Sequence, residues 1–186
     1  MNISPLAVVH PEAKIGQNTT VDPFAVIEKD VVIGDNCRIY SHATILDGAR
    51  IGNNCQVFPG AVIAGIPQDL KFKGEITTAE IHDCLLKDNI IIGNASQIAG
   101  EVEIDDFAIV SGGSLVHQFS RISKHVMIQG GSRIGKDIPP YTLIGRDPIV
   151  YCGINIVGLR RRGFTNSQVF LIQDIYRTLY TRGLNN

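Results

Sequence analysis

A branched aliphatic returns at every sixth position over two long stretches of the chain. Ile3, Val9, Ile15, Val21, Ile27, Ile33, Ile39, Ile45, Ile51, Val57 and Ile63 hold the period first; Leu86, Ile92, Ile98, Ile104, Val110, Val116, Ile122, Ile128 and Ile134 hold it again. A six-residue period fits neither an α-helix nor an alternating strand, so it signals a stacked repeat. The residue two places before each aliphatic is small: Ala7, Ala13, Thr19, Ala25, Cys37, Ala43 and Cys55 in the first run, Cys84, Ser96, Ala108, Ser114, Ser120 and Ser132 in the second, with Ile90 the bulky exception. The residue after the aliphatic is often Gly, Asp or Glu, as tight corners between short strands require. The pattern predicts an all-β fold, a parallel β-helix in which three hexads make one coil and each coil buries its aliphatics against the next.

The first run breaks at the polar, Gly- and Pro-containing stretch 64–75, which reads as a loop excursion; loops on a rigid scaffold are where binding residues concentrate. Ile81 returns in phase with the first run, but Leu86 follows after only five residues, so a repeat irregularity is expected over 81–86. The β-helix is expected over 1–140, and a connecting segment with a C-terminal helix over 141–186. Thr165 to Gln168 form a T-x-x-Q capping box, with Phe164 and Val169 placed as a hydrophobic staple. The helix should run from about Asn166 to about Arg182, with Gly183 as C-cap and an apolar stripe of Leu171, Ile172, Ile175, Tyr176 and Leu179 seeking a partner.

Composition narrows the function. A formal net charge of -1 on 186 residues gives no reason to expect nucleic-acid binding. There is no membrane-length apolar stretch and no basic region leading into an apolar core at the N-terminus, so a cytoplasmic protein without a transmembrane segment is expected. Cys37, Cys55 and Cys84 occupy the small inward slot and read as core residues, Cys152 is unassigned, and without a CxxC pair no structural zinc is expected. His10, His42 and His125 read as solvated corner histidines.

Several strings are more specific than the hexads: Gly65-Ile-Pro-Gln-Asp-Leu-Lys71, His82-Asp-Cys84, Ala99-Gly100, Val116-His-Gln-Phe119, Lys124-His-Val-Met127, Asp137-Ile-Pro-Pro-Tyr141 and Gly158-Leu-Arg-Arg-Arg-Gly-Phe164. With the repeat, they resemble the hexapeptide-repeat acyltransferases, and within these the UDP-N-acetylglucosamine O-acyltransferases that open lipid A biosynthesis. The resemblance implies a left-handed coil, a homotrimer with clefts between subunits, and transfer of a 3-hydroxyacyl group from acyl carrier protein to the sugar 3-hydroxyl. It implies no metal and no cofactor beyond the carrier's phosphopantetheine thioester, which is a co-substrate.

By motif match His82 would be the general base, a role suited to a group partly neutral near pH 7. Asp83 would orient it, and Gly100 would offer its N–H to the oxyanion. Gln68, Asp69, Lys71, His117 and Gln118 match sugar-contacting positions. Asn155, Arg161 and Arg162 match positions contacting the nucleotide diphosphate, and Gly130 matches the position limiting acyl length. Relative to the family pattern, roughly two coils are missing between Ile81 and His82, and the C-terminal helical region is shorter.

Other readings stand beside these. Asp69 with Lys71 also fits an exposed ion pair, Arg160 to Arg162 a solvated basic run, and Val116 to Phe119 an ordinary corner with a buried Phe119. For the whole protein, the alternatives are a shortened trimer that binds nucleotide sugar or carrier protein without transfer, and a carbonic-anhydrase-like zinc enzyme. The zinc reading needs a third ligand beside His82 and His117 that the sequence does not offer.

Overall fold

A computed structural model describes residues 2–65 and 84–181. Short strands, most of two residues ending on a periodic aliphatic, stack into three sheets of nine, seven and six strands, parallel throughout except for the last strand of the first sheet. Each strand pairs with the one a coil away: Val21 with Ile39, Ile27 with Ile45 and Ile33 with Ile51, all 18 residues apart. The product is a left-handed parallel β-helix. The aliphatics fill the prism; Ile39, Ile45, Ile63, Ile92 and Ile128 are fully buried, each contributing about 1.5–3 kcal/mol by burial.

The small inward slot explains itself by its hydrogen bonds. Thr19, Ser96, Ser114 and Ser132 are completely buried, yet none is unsatisfied. Thr19 Oγ1 donates to the Gly34 carbonyl at 2.8 Å, Ser96 Oγ to Ser111 O at 3.1 Å, and Ser132 Oγ to Gln129 O at 2.7 Å. Corner carbonyls thus accept what an alanine could not donate, and a buried hydroxyl costs little once it is paired. Cys37, Cys55 and Cys84 lie buried in the same slot, while Cys152 is exposed.

Most corners turn on a left-handed residue three places before the aliphatic. One corner carries Asn18, Asn36, Asn54, Asn89, Phe107, His125 and Tyr141, all with φ between 54° and 66°; asparagine leads because it tolerates this region better than most.

The irregularity expected over 81–86 does not disturb the stack. Cys84–Leu86 pairs in regular register with Ala49–Ile51 on one side and with Glu103–Ile104 on the other. The additional chain lies between Val62–Gly65 and Cys84–Leu86, so a hexad count carried through it need not close. Ile81 itself lies outside the described residues.

Past Ile134 the architecture changes. Thr142–Gly145 joins the first sheet, and Val150–Ile154 returns beside it antiparallel. Helix α1 (Ile156–Arg161), absent from the sequence reading, follows, then α2 (Asn166–Thr181). The capping box forms: Gln168 N–H donates to Thr165 Oγ1 at 3.3 Å and Thr165 N–H to Gln168 Oε1 at 2.9 Å. Gly183 lies outside the described residues.

The expected stripe on α2 divides. Val169, Ile172 and Tyr176 pack against Ile154 and Leu159, whereas Leu171, Ile175 and Leu179 face outward. The reason is anchoring: Tyr176 stacks on Tyr151 and its hydroxyl donates to Pro140 O at 2.7 Å, so burial pushes its phenol up to about 12 and fixes which face turns inward.

Candidate functional site

The candidate residues fall on different corners of the prism. Ala99, directly before Gly100, pairs with Gly65, the last described residue before the excursion. The register Ile98 with Val116 then sets Ala99-Gly100 over His117-Gln118 on that same corner one coil on. Gly100 is buried and His117 exposed, its Nδ1 3.0 Å from the Gln118 carbonyl oxygen. The structure therefore brings together Gly100, His117, Gln118 and the root of the excursion. Gln68, Asp69, Lys71, His82 and Asp83 lie within 66–83, outside the described residues.

Phe119 is not the buried ring that an ordinary corner would have; it is 65% exposed at a left-handed position, φ 64°. The inward slot at this hexad belongs to Ser120 and Val116, which leaves the ring no route into the prism.

Gly130 lies on the next corner, between the strands Met127–Ile128 and Arg133–Ile134. Gly112, Gly113, Gly130 and Gly131 strip that corner of side chains, Gly113 and Gly131 in left-handed geometry. A Cβ on Gly130 would come within 3.1 Å of the Gly112 carbonyl oxygen, so the corner is both exposed and closely stacked.

Asn155, Arg161 and Arg162 belong to the third corner, the one with the left-handed ladder. Asn155 is buried and caps α1: its Oδ1 accepts from Gly158 N–H at 3.0 Å and its Nδ2 donates to His125 O at 3.0 Å. These bonds give it a structural task, satisfying helix-end donors that would otherwise be orphaned. Arg161 is exposed. Arg162 lays its guanidinium over the Phe107 ring, 4.9 Å from the centroid, and partial burial pulls its pKa below the ordinary value.

His125 is the residue that sequence reasoning misplaced. It is 8% exposed rather than solvated, held between Phe107 at 5.0 Å and Tyr141 at 5.6 Å, with Phe164 edge-on at 5.2 Å. Burial, then the positive charges of Arg162 and Lys124, lower its pKa, and Asp106 opposes them. The coil spacing from Phe107 to His125 was a signal available in the sequence; the contribution of Phe164, from beyond α1, was not.

No cluster of three His, Cys, Asp or Glu side chains suited to a metal occurs among the described residues, so the zinc reading gains no support there. No helix among them is long and apolar enough to cross a membrane. A depression of about 360 Å³ on the third sheet, lined by Val32, Arg50, Leu85, Lys87, Asp88 and Asp106 among others, contains none of the candidate residues.

Two family models match separate parts of the chain. A family model described as bacterial transferase hexapeptide (six repeats) matches residues 12–47, and one described as UDP N-acetylglucosamine O-acyltransferase, domain 2, matches residues 137–186. An acyl-[acyl-carrier-protein]--UDP-N-acetylglucosamine O-acyltransferase from Burkholderia orbicola is 45% identical over 104 residues, 56% of this chain and 40% of the relative. The matched segment thus spans less than half the length of such curated relatives.

Among solved structures, a UDP-N-acetylglucosamine acyltransferase from Bacteroides fragilis is 49% identical, covering 98% of this chain and 86% of that one, with a TM-score of 0.62. LpxA from Acinetobacter baumannii is 30% identical with the same coverage and a TM-score of 0.67. With nearly its whole length matched and most of the Bacteroides relative covered, the chain belongs to the UDP-N-acetylglucosamine O-acyltransferase family.

Proposed function

We propose that the protein transfers a 3-hydroxyacyl chain from acyl carrier protein to the 3-hydroxyl of UDP-N-acetylglucosamine, the first step of lipid A biosynthesis. The observation that carries this reading is the 49% identity across 98% of the chain to the Bacteroides acyltransferase. Residue by residue, His82 accepts the proton of the sugar hydroxyl as its oxygen attacks the thioester carbonyl, and Asp83 orients the imidazole. The Gly100 N–H stabilises the oxyanion of the tetrahedral intermediate. Its collapse breaks the carbon–sulfur bond, and the departing thiolate of the phosphopantetheine takes the proton back from His82, which returns to its neutral form.

Gln68, Asp69, Lys71, His117 and Gln118 hold the sugar, Arg161 and Arg162 the diphosphate beside Asn155, and the glycine corner at Gly130 leaves room for the acyl chain. No metal or other cofactor takes part. Because Gly100, Gly130 and Arg162 stand on three different corners of one prism, a single chain does not gather them. A homotrimer, in which one subunit's corner faces its neighbour's, unites them, and we place that assembly in the cytoplasm.

The test mixes the protein with UDP-N-acetylglucosamine and 3-hydroxyacyl carrier protein and follows acylated sugar nucleotide by mass spectrometry, with His82→Ala alongside. Product that disappears in the variant supports transfer with His82 as base. Stabilisation by UDP-N-acetylglucosamine without any product would instead make the protein a binder of the nucleotide sugar.

A further inference from the structure

His125 touches both ends of α1. Its carbonyl oxygen accepts from the Asn155 side chain that caps the helix start at 3.0 Å. Its ring meets Phe164, just beyond the helix end, and stacks on Phe107, over whose ring the Arg162 guanidinium also lies. Two cations also lie over rings of the column Phe107, His125, Tyr141: Arg162 at 4.9 Å from the Phe107 centroid and Lys124 at 5.8 Å from the Tyr141 centroid. A neutral imidazole serves there as a third aromatic ring.

An imidazolium would be a third positive charge beside Arg162 and Lys124, with Asp106 the carboxylate that opposes them among the described residues. It would also carry a proton on Nδ1, an atom that is buried and has no hydrogen-bond partner among the described residues. Both nitrogens of a charged histidine must donate, and a buried unpaired donor is a cost that opening the contact relieves.

We propose that neutral His125 is a positioning residue for the diphosphate-binding arginines, and that its protonation loosens α1 from the coil and weakens binding of a nucleotide diphosphate. The inference rests on the assignment of Arg161 and Arg162 to the diphosphate. The ligand arm of the test is UDP-N-acetylglucosamine, whose phosphates are both esterified and keep their charge across the range examined.

Affinity is measured by calorimetry at about pH 7.5 and about pH 5.5 for the wild type and for His125→Phe, which keeps a stacking ring but cannot titrate. The wild type is expected to lose about tenfold in affinity at the lower pH, and the variant to show a much smaller ratio between the two conditions. A structural role alone would leave the two ratios equal, and that result overturns the proposal. The second arm needs neither ligand nor variant: hydrogen-exchange protection of the α1 amides in the wild type, beside the titration of the His125 ring by NMR. Protection must fall as the ring protonates; protection that stays constant through that titration contradicts the proposal. Failure of UDP-N-acetylglucosamine to bind at either pH would refute the diphosphate assignment instead, with the exchange arm still deciding whether His125 governs α1.

Discussion

The two halves of one corner ladder occupy the same backbone conformation and do different work. Asn18, Asn36, Asn54 and Asn89 form the lower rungs, joined at their start by Asn18 Nδ2 donating to Asn36 Oδ1 at 3.3 Å. Phe107, His125 and Tyr141 form the upper rungs and hold α1 through Asn155, Arg162 and Phe164. The lower rungs serve the turn, whereas the upper rungs accept the strain of a left-handed backbone, about 1–2 kcal/mol per residue, and in exchange present flat faces to another segment. The coil sets where a side chain stands; the identity of the rung decides whether anything docks on it.

The largest expected effect tests what the halves share. Ile39→Ala in the lower half and Ile104→Ala in the upper should each cost about 2–5 kcal/mol in denaturant unfolding, because both side chains are fully buried in one continuous core. Markedly unequal losses would mean the halves do not form a single stack. Next is Gly93→Ala: its Cβ would collide with the backbone nitrogen of Gly112 in the following coil, costing about 1–3 kcal/mol. Gly131→Ala, with no atom within 4 Å of the added carbon, should pay only for its positive φ.

A smaller loss, about 1 kcal/mol, is expected for Asn36→Ala, without any change in affinity for UDP-N-acetylglucosamine. The mildest test is pH. His125 has its folded-state pKa lowered, so below the ordinary histidine value the unfolded chain binds the extra proton first. Its contribution is therefore complete above that value and lost as pH falls through it toward the folded value. The melting temperature of His125→Phe should decline less than that of the wild type over this interval, and parallel declines would remove His125 from the account.

Much of the fold was legible in the chain because each inward slot constrains residue size, and periodic Ile39, Ile45 and Ile51 state the coil directly. The capping box from Thr165 to Gln168 was equally plain, being local. Helix α1 was hidden because its start is capped by Asn155 only in partnership with the distant His125 carbonyl, and its six residues carry a single buried side chain, Leu159. The site was legible as strings rather than as geometry. Val116 to Phe119 stood out as a string, but no spacing could reveal that Gly100 stacks with His117 and Gln118 while Gly130 and Arg162 stand on other corners. His125 was misread because a corner residue looks solvated until the segment that covers it, bearing Phe164, is known.

The most direct measurement makes one half of the ladder into the other. Phe107→Asn inserts a lower rung into the upper column, a residue that accepts the left-handed backbone but offers no ring to His125 or Arg162. Calorimetric titration with UDP-N-acetylglucosamine should show an affinity about tenfold weaker, the scale of one desolvated cation–ring contact, with the coil's circular dichroism unchanged. An affinity equal to the wild type's would contradict the claim that the aromatic rungs position the nucleotide-binding arginines.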